Sequence, residues 1–196
     1  SDKLVDVIAS SKHVAHQFHL PMQSGSDKIL KDMNRHYDTE KYMRTVEYLR
    51  QKIPDVTISS DIIVGFPGET EGDFEATLQM LRRVRFDMTY SFIYSPRKDT
   101  PAAAMDCQIP DAIKGERMNR LLDTQNAIAL EKNKPMENKI IKVLCDGPSK
   151  NNENVYSGRT EGNKIVLFDG DESDVGKFIN IKITRAETFA LYGDKI

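Results

Sequence analysis

The chain has 196 residues and a formal net charge of −2, with 28 Lys and Arg against 30 Asp and Glu. This balance excludes a strongly basic nucleic-acid coat and an acidic tail, but it leaves room for a local basic face. No apolar run approaches the roughly 20 residues of a membrane span, so we expect no membrane partner.

Cys107 and Cys145 are the two cysteines. They exclude a disulfide framework and cannot bind an iron–sulfur cluster by themselves, which favours the reducing cytoplasm.

The composition divides the chain into two parts near residue 134. Residues 1–133 alternate between helical and strand patterns, whereas residues 134–196 contain short strand patterns separated by Gly, Asn and Asp. We therefore predict two domains with these bounds. Because the first residues, Ser1 to Val5, form neither an initiator Met nor a signal peptide, we expect a piece of a longer protein.

Helical and strand periodicity assign the elements of the first part. Ser26 and Thr39 are predicted to cap two helices, and Thr70 to Asp73 matches a capping box with Asp in place of the usual Glu. The predicted elements, in chain order, are a helix over 1–12, a strand over 16–20, helices from 27 and from 40 to 53, a strand over 56–64, a helix to 84, a strand over 88–94 and a helix over 111–132.

The strand over 56–64 indicates the class of the first domain. Its second half, Ile62-Ile63-Val64, is apolar on both faces, which is typical of a central parallel strand. Strand–helix alternation at this spacing predicts a parallel α/β sheet. Three strands are too few for a closed barrel, so we expect part of a larger (β/α) unit, with an exposed sheet edge that favours contact with a second copy.

The second part predicts an all-β domain. Strand patterns lie near 138–145, 154–160, 164–168, 177–185 and 188–192, with glycine-containing turns between them. Five short strands in about 60 residues predict a small five-stranded β-barrel of the oligonucleotide-binding type.

Polar loops follow the three strands of the first part. They are Pro21–Gly25, Gly65–Glu69 and Tyr94–Arg97. Since ligands bind parallel α/β sheets at the carboxyl ends of the strands, the three loops predict one pocket. Each loop also has a purely structural interpretation, namely helix capping, a tight strand–helix turn or a solvated loop.

Basic and aromatic residues flank one turn of the predicted barrel. Arg159, Thr160 and Lys164 surround the turn, and Tyr156 and Phe168 lie on the adjacent strands. This combination suits RNA backbone contact and base stacking, although a plain hairpin remains the alternative. His16 and His19 lie three apart on a strand and so face opposite sides, which argues against a metal site.

Four strings of residues together resemble the radical S-adenosylmethionine methylthiotransferases. They are His19-Leu20-Pro21-Met22-Gln23-Ser24-Gly25-Ser26, Met33-Asn34-Arg35, the run from Asp61 to Thr70, and Phe92-Ile93-Tyr94-Ser95-Pro96-Arg97. The C-terminal part, with Ser157-Gly158-Arg159-Thr160, is similar to the TRAM domain, a small RNA-binding barrel. The resemblance implies the later part of a radical (β/α) barrel over 1–133 and a TRAM barrel over 134–196.

The strings are most similar to the branch that adds a methylthio group to isopentenyladenosine beside the tRNA anticodon. A ribosomal-protein branch has Gln-His in place of Gln23-Ser24, and a threonylcarbamoyladenosine branch has His-Val-Phe-Pro-Tyr-Ser in place of the run from Tyr90 to Ser95. The threonylcarbamoyladenosine activity and a stand-alone RNA-binding module remain the alternatives. The expected partners are the tRNA anticodon stem-loop and N-terminal domains of the same protein.

The resemblance implies S-adenosylmethionine and two [4Fe-4S] clusters as cofactors of the whole enzyme. The cysteine motifs that hold the clusters do not occur in this chain, so we expect it to be inactive and free of cofactors on its own. No residue is assigned as catalytic or as a metal ligand. The implied cofactor-binding residues are Gln23, Ser24, Gly25, Asp61, Ile63, Gly65, Phe66, Phe92, Tyr94 and Ser95. The RNA candidates are Arg97, Arg159, Thr160 and Lys164.

Overall fold

The computed structural model describes residues 2–150 and 152–196, which divide into two compact units. One unit takes the residues up to Val5 together with Phe18–Ile128, and the other takes Asp6–Gln17 together with Ala129–Ile196. The elements are α1 Asp2–Ser10, β1 Gln17–His19, α2 Asp27–Asp32, α3 Thr39–Lys52, β2 Thr57–Val64, α4 Glu71–Val84, β3 Met88–Ile93, α5 Asp111–Asn133, β4 Ile140–Ser149, β5 Asn152–Arg159, β6 Ile165–Phe168, β7 Phe178–Ala186 and β8 Leu191–Lys195. Within the described residues, no helix has both the length and the apolar character to cross a membrane.

The first unit is built on a three-stranded sheet in the order β1-β2-β3. β2 and β3 pair in parallel, with Ile63 opposite Phe92. The side chains of Ile58 and Ile62 on one face of β2 are fully buried, whereas Asp61 and Ile63 on the other face are partly exposed. The prediction of a parallel α/β sheet with a central second strand is therefore confirmed.

Polar side chains fix the starts of three helices. Ser26 accepts a hydrogen bond from the Ile29 amide at the start of α2, and Thr70 and Asp73 form the predicted capping box of α4. The prediction that Thr39 caps the next helix is wrong, because Asp38 accepts the Lys41 amide at 2.7 Å. Both residue types cap helices, and the Asp38 carboxylate also interacts favourably with the positive end of the helix dipole.

The second unit contains a closed five-stranded barrel in the order β4-β5-β6-β8-β7. All strand pairs are antiparallel except β6 and β8, which run in parallel. The predicted five-stranded barrel is thus confirmed. β8 begins at Leu191 rather than at 188, since Glu187 closes a turn by donating its amide hydrogen to the Ala190 carbonyl.

The barrel interior is filled by branched apolar side chains. Those with no measurable exposure are Val143, Val166, Ile181, Ile183 and Leu191. Alternation along each strand sends the intervening side chains outward, as the pattern of exposed and buried residues in β7 shows. The predicted domain boundary after residue 133 coincides with the end of α5, whereas the compact units divide within that helix.

Replacement of Ile181 by Ala should lower the free energy of unfolding of the barrel by about 2–5 kcal/mol, because it leaves a cavity at a fully buried position of the core. The matched control is Phe178→Ala on the same strand, where the side chain is 65% exposed. That control should change the stability by less than about 0.5 kcal/mol. Urea unfolding followed by circular dichroism measures both, and equal losses would contradict the assignment of the two faces.

Candidate functional site

A cavity of about 800 Å³ lies at the carboxyl edge of the sheet in the first unit. This volume is within the usual range of small-molecule sites. The lining residues come from the loop after β1, from the end of α2 and the segment after it, from β2 and β3, and from the segments that follow these two strands. They are Gln23, Asp32, Met33, Asn34, Arg35, Asp61, Ile63, Phe66, Phe92, Ile93, Tyr94, Ser95, Arg97, Thr100, Pro101 and Ala102.

The cavity collects most of the residues that the sequence implied for this edge. Seven of the implied cofactor-binding residues line it, together with Arg97 from the RNA candidates. Those seven are Gln23, Asp61, Ile63, Phe66, Phe92, Tyr94 and Ser95. Ser24, Gly25 and Gly65 do not line it and have structural roles in the loops.

Gln23, in the loop after β1, forms an isolated parallel bridge with Ile62 of β2. Its amide donates to the Asp61 carbonyl at 2.8 Å, and its carbonyl accepts the Ile63 amide at 2.9 Å. Its φ of 66° is in the left-handed region, which is uncommon for residues other than glycine. The two backbone hydrogen bonds hold this conformation and place the nearly buried side chain against the cavity.

Ser24 and Gly25 fasten the first loop to α4. The Gly25 amide donates to the Thr77 hydroxyl at 2.9 Å, and the Ser24 hydroxyl lies 3.4 Å from the same oxygen. A Cβ at Gly25 would lie only 2.5 Å from Thr77 Cα. Glycine is required at this position because the two backbones approach too closely for any side chain.

The turn from Gly65 to Glu69 is held by a buried ion pair. The Gly65 amide donates to Glu69 Oε2 at 2.8 Å, and Arg117 Nη1 donates to Glu69 Oε1 at 3.0 Å. Arg117 Nη1 also donates to the Glu69 carbonyl at 3.1 Å. Both side chains are buried, so α5 is linked to the turn by charged groups that water does not reach.

Burial raises the pKa of the Glu69 carboxyl above its ordinary value of 4.5. The Gly65 amide and the Arg117 charge lower the pKa, but they do not fully offset the desolvation. The Gly65 amide and the Arg117 charge thus favour the ionised form of Glu69, and burial disfavours it. The sequence analysis did not select Glu69 or Arg117 as site residues. Glu69 ends the Gly-Phe-Pro-Gly-Glu string, whereas Arg117 had no local signal.

Aromatic side chains form one wall of the cavity. Phe66 and Tyr94 meet edge to face, with ring centroids 5.2 Å apart. The Tyr94 hydroxyl is buried and has no hydrogen-bond partner among the described residues. Since buried polar groups in proteins are normally satisfied, this hydroxyl is a hydrogen-bonding group free to meet a ligand.

Asp61 lies on the open face of β2, next to a histidine. The His19 Nε2 atom lies 3.3 Å from Asp61 Oδ2, and its Nδ1 atom lies 3.0 Å from the Ser59 hydroxyl. The ring also meets Tyr90 edge to face at 5.9 Å. These contacts orient the Asp61 carboxylate at the base of the cavity and account for His19 as a structural residue.

The loop after β3 contains a tight turn. Asp99 in this turn adopts a φ of 63°. Asp tolerates this left-handed conformation better than most residues. The Thr100 hydroxyl donates to the Arg97 carbonyl at 2.8 Å, which closes the turn beside the cavity.

In the barrel, the hairpin residues contact each other. Arg159 Nη1 donates to Asn163 Oδ1 at 3.0 Å, and its Nε lies 3.4 Å from Asp146 Oδ2. Lys164 Nζ donates to Asn133 Oδ1 at 2.8 Å, and the Thr160 hydroxyl accepts the Lys164 amide at 3.1 Å. The contacts to Asn163 and Thr160 stabilise the hairpin itself, and those to Asp146 and Asn133 connect it to β4 and to the end of α5.

Of the two aromatic residues beside this hairpin, only Tyr156 is partly exposed and could stack on a base. Tyr156 and Phe168 are direct cross-strand neighbours, as expected. However, Phe168 is only 3% exposed and belongs to the barrel core. The expectation that it stacks on a base is wrong, because strand alternation directs this ring inward.

Two family patterns match the chain. The radical SAM superfamily matches residues 1–81, and the TRAM domain matches residues 134–196. The matches agree in order with the α/β unit and the barrel. They agree also with the resemblance stated for the sequence.

Curated relatives match across nearly the whole chain. Proteins of Clostridium botulinum strain Langeland, Alkaliphilus oremlandii and Clostridium perfringens strain SM101 are 49%, 49% and 50% identical to it and cover 100%, 100% and 99% of it. Each is named tRNA-2-methylthio-N(6)-dimethylallyladenosine synthase. The chain covers 44%, 42% and 43% of their respective lengths, so it spans less than half of each relative.

A solved structure supports the fold. Coproporphyrinogen III oxidase of Escherichia coli, described as a radical SAM enzyme, superposes with a TM-score of 0.51 at 13% identity. The match covers 82% of this chain and 44% of that one. At this low identity the likeness concerns the architecture alone.

The variant Arg117→Gln should lower the free energy of unfolding by about 3–5 kcal/mol at neutral pH, because it leaves the Glu69 carboxylate buried without its counter-charge. The pKa of Glu69 is higher in the folded protein than in the unfolded chain, so the free energy of unfolding falls as the pH rises from the unfolded pKa to the folded one. Loss of the Arg117 charge raises the folded pKa of Glu69 further. The variant should therefore lose more stability at about pH 7 than at about pH 5.

The matched control is Arg120→Gln, on the same helix, whose side chain is 36% exposed and pairs with Glu71. It should lose less than about 1 kcal/mol at either pH. Urea unfolding at the two pH values gives both comparisons. An Arg117→Gln loss that is independent of pH would show that Glu69 does not govern the effect.

Proposed function

We propose that this chain, which matches the radical SAM superfamily over residues 1–81 and the TRAM domain over residues 134–196, is part of an enzyme that methylthiolates N6-dimethylallyladenosine in tRNA. This base is the isopentenyladenosine expected from the sequence. The cavity at the carboxyl edge of the sheet carries the proposal, since it gathers three loops of a chain 49% identical to synthases of that name. Because the chain spans under half of those relatives, the reaction belongs to the whole protein.

S-adenosylmethionine fits the residues of the cavity. The ligand has an adenine ring, ribose hydroxyls and an amino-acid end, and the cavity offers aromatic rings, a carboxylate and an amide side chain. The unpartnered Tyr94 hydroxyl, buried beside Phe66, supports a ligand that brings a hydrogen-bonding atom. When bound, S-adenosylmethionine supplies the deoxyadenosyl radical and the methyl group.

The residues of the chain have separate tasks toward this cofactor. Asp61 accepts hydrogen bonds from hydroxyl or ammonium groups, and His19 keeps the carboxylate oriented. Phe66 and Tyr94 pack against the ligand and exclude water from it. Glu69 and Arg117 act indirectly by fixing the Gly65 turn, so they are positioning residues.

The two iron–sulfur clusters do not fit the residues of this chain. The cluster that binds S-adenosylmethionine in the family needs a loop of three cysteines, and the sequence has two cysteines in all, Cys107 and Cys145. Cys145 is buried in the barrel core and Cys107 is exposed. We therefore assign the clusters to other parts of the protein and propose that this chain alone is inactive.

The TRAM barrel supports tRNA as the partner, with the anticodon stem-loop as the part that carries the modified base. Arg97 beside the cavity and Arg159, Thr160 and Lys164 on the hairpin stay candidates for RNA contact. We further propose that the outer edge of β3, the last strand in the order β1-β2-β3, meets the N-terminal domains or a second copy. A tRNA partner supports the cytoplasm as the compartment of the protein.

A deletion and complementation experiment tests the function. A strain without the gene should accumulate N6-dimethylallyladenosine in its tRNA and lose the methylthio nucleoside, measured by liquid chromatography and mass spectrometry. The full-length gene should restore the product, whereas the same gene with Asp61→Asn should restore at least about tenfold less, since one lost cofactor hydrogen bond to a charged group is worth 1.4 kcal/mol or more.

The matched control for this experiment is Arg44→Ala on the exposed face of α3, which should complement fully. Loss of a methylthiolated threonylcarbamoyladenosine instead would replace the proposal with the other branch of the family. An unchanged nucleoside profile in the deletion strain would favour a stand-alone RNA-binding module.

A further inference from the structure

One outer face of the barrel combines exposed apolar side chains with two lysines. The strands β4 and β7 pair in antiparallel register, with Ile140 opposite Lys182, Lys142 opposite Asn180, and Leu144 opposite Phe178. The inward-facing neighbours fill the core, so these side chains point away from it. We call this surface, formed by Ile140, Lys142, Leu144, Phe178, Asn180 and Lys182, the β4–β7 face.

Large apolar side chains are exposed on this face without any contribution to the core. Phe178 is 65% exposed and Ile140 is 63% exposed. The ammonium group of Lys142 lies 4.6 Å from the centre of the Phe178 ring. An exposed aromatic ring beside a lysine is the arrangement that stacks an unpaired base and contacts its phosphate.

The charge on the β4–β7 face is positive. Lys142 and Lys182 are its charged members, and the exposed Asp194 of β8, directly opposite Lys182, offsets part of the charge of that lysine, so the excess positive charge lies around Lys142. Two acidic residues at the margins are neutralised, because Asp146 pairs with Arg159 at 3.4 Å and Asp174 pairs with Lys195 at 2.5 Å. The face therefore attracts an anionic partner with flat apolar groups, a description that suits RNA better than a protein surface.

We propose that the β4–β7 face binds an unpaired nucleotide of the tRNA substrate, with the base stacked on Phe178 and the flanking phosphates paired with Lys142 and Lys182. This inference rests on the proposed function and assigns the RNA contact to a surface that the sequence did not single out. The hairpin of Arg159 and Lys164 is the weaker candidate, since both side chains already have partners within the barrel.

A second exposed aromatic residue provides the control. Phe189, in the turn between β7 and β8, is 75% exposed. Its neighbouring charges compensate each other, since Arg185 pairs with Glu187. A stacking site needs the positive charge as well as the ring, so Phe189 should contribute little to RNA affinity.

A tryptophan reporter tests for stacking directly, since the chain contains no Trp. The Phe178→Trp variant of the 196-residue chain is titrated with an anticodon stem-loop RNA that has an unmodified adenosine beside the anticodon. We expect its fluorescence to be quenched with saturation, because a stacked base quenches the indole. The Phe189→Trp variant should keep its fluorescence, and quenching at that position alone would overturn the inference.

Affinity measurements with the same RNA give an independent readout. Phe178→Ala should weaken binding by about 5- to 100-fold, as for loss of one stacked base, whereas Phe189→Ala should leave it unchanged. The Lys142→Ala, Lys182→Ala double variant should reduce the slope of log affinity against log salt by about 1.4, which corresponds to two phosphate contacts on a single strand.

The outcomes separate this inference from the proposed function. Normal RNA binding by the β4–β7 variants, with loss of binding by an Arg159→Ala, Lys164→Ala variant, would overturn the inference and leave tRNA as the partner. Absence of RNA binding by the unaltered chain would overturn the inference as well. In that case, the nucleoside profile of the deletion strain still decides the enzymatic proposal separately. Self-association that the Phe178→Ala variant abolishes, without RNA binding, would instead assign the face to a second copy.

Discussion

The buried pair of Glu69 and Arg117 holds the candidate site in its geometry. Glu69 binds the Gly65 amide on one side and the Arg117 guanidinium on the other, so the turn after β2 cannot shift without exposing or separating charges. Breaking one half of such a pair costs more than the pair contributes when intact, because the remaining charge stays buried. The position of Phe66 on the cavity wall follows from this turn, and with it the contact to Tyr94.

Close backbone packing imposes a second constraint on the same edge. Gly25 touches α4 where no side chain fits, and its amide is bound by Thr77. The first loop is thereby anchored to the helix that begins directly after the Gly65–Glu69 turn. Two of the three loops thus share α4 as a support, which explains why residues far apart in sequence line one cavity. Glycines that the sequence associated with a ligand act here through packing.

Local patterns were enough to predict the architecture, but not the contacts that link distant elements. Ile62 and Val64 revealed a central parallel strand, and the Thr70 capping box was readable from four residues. The pairing of Glu69 with Arg117 was not readable, because the two lie 48 positions apart on different elements. The choice of Asp38 over Thr39 as a helix cap was equally hidden, since both side chains can accept the same amide.

The same distinction applies to the charges of the barrel. Lys and Arg balance Asp and Glu from residue 134 onward, so the composition predicts no electropositive surface. Closure of the barrel distributes these charges unevenly, since it pairs Arg159 with Asp146 and Lys195 with Asp174 at the margins and leaves Lys142 and Lys182 on one face, with Asp194 opposite Lys182 alone. A domain with no net charge can therefore present a positive surface, because the strand register determines which charged side chains form pairs.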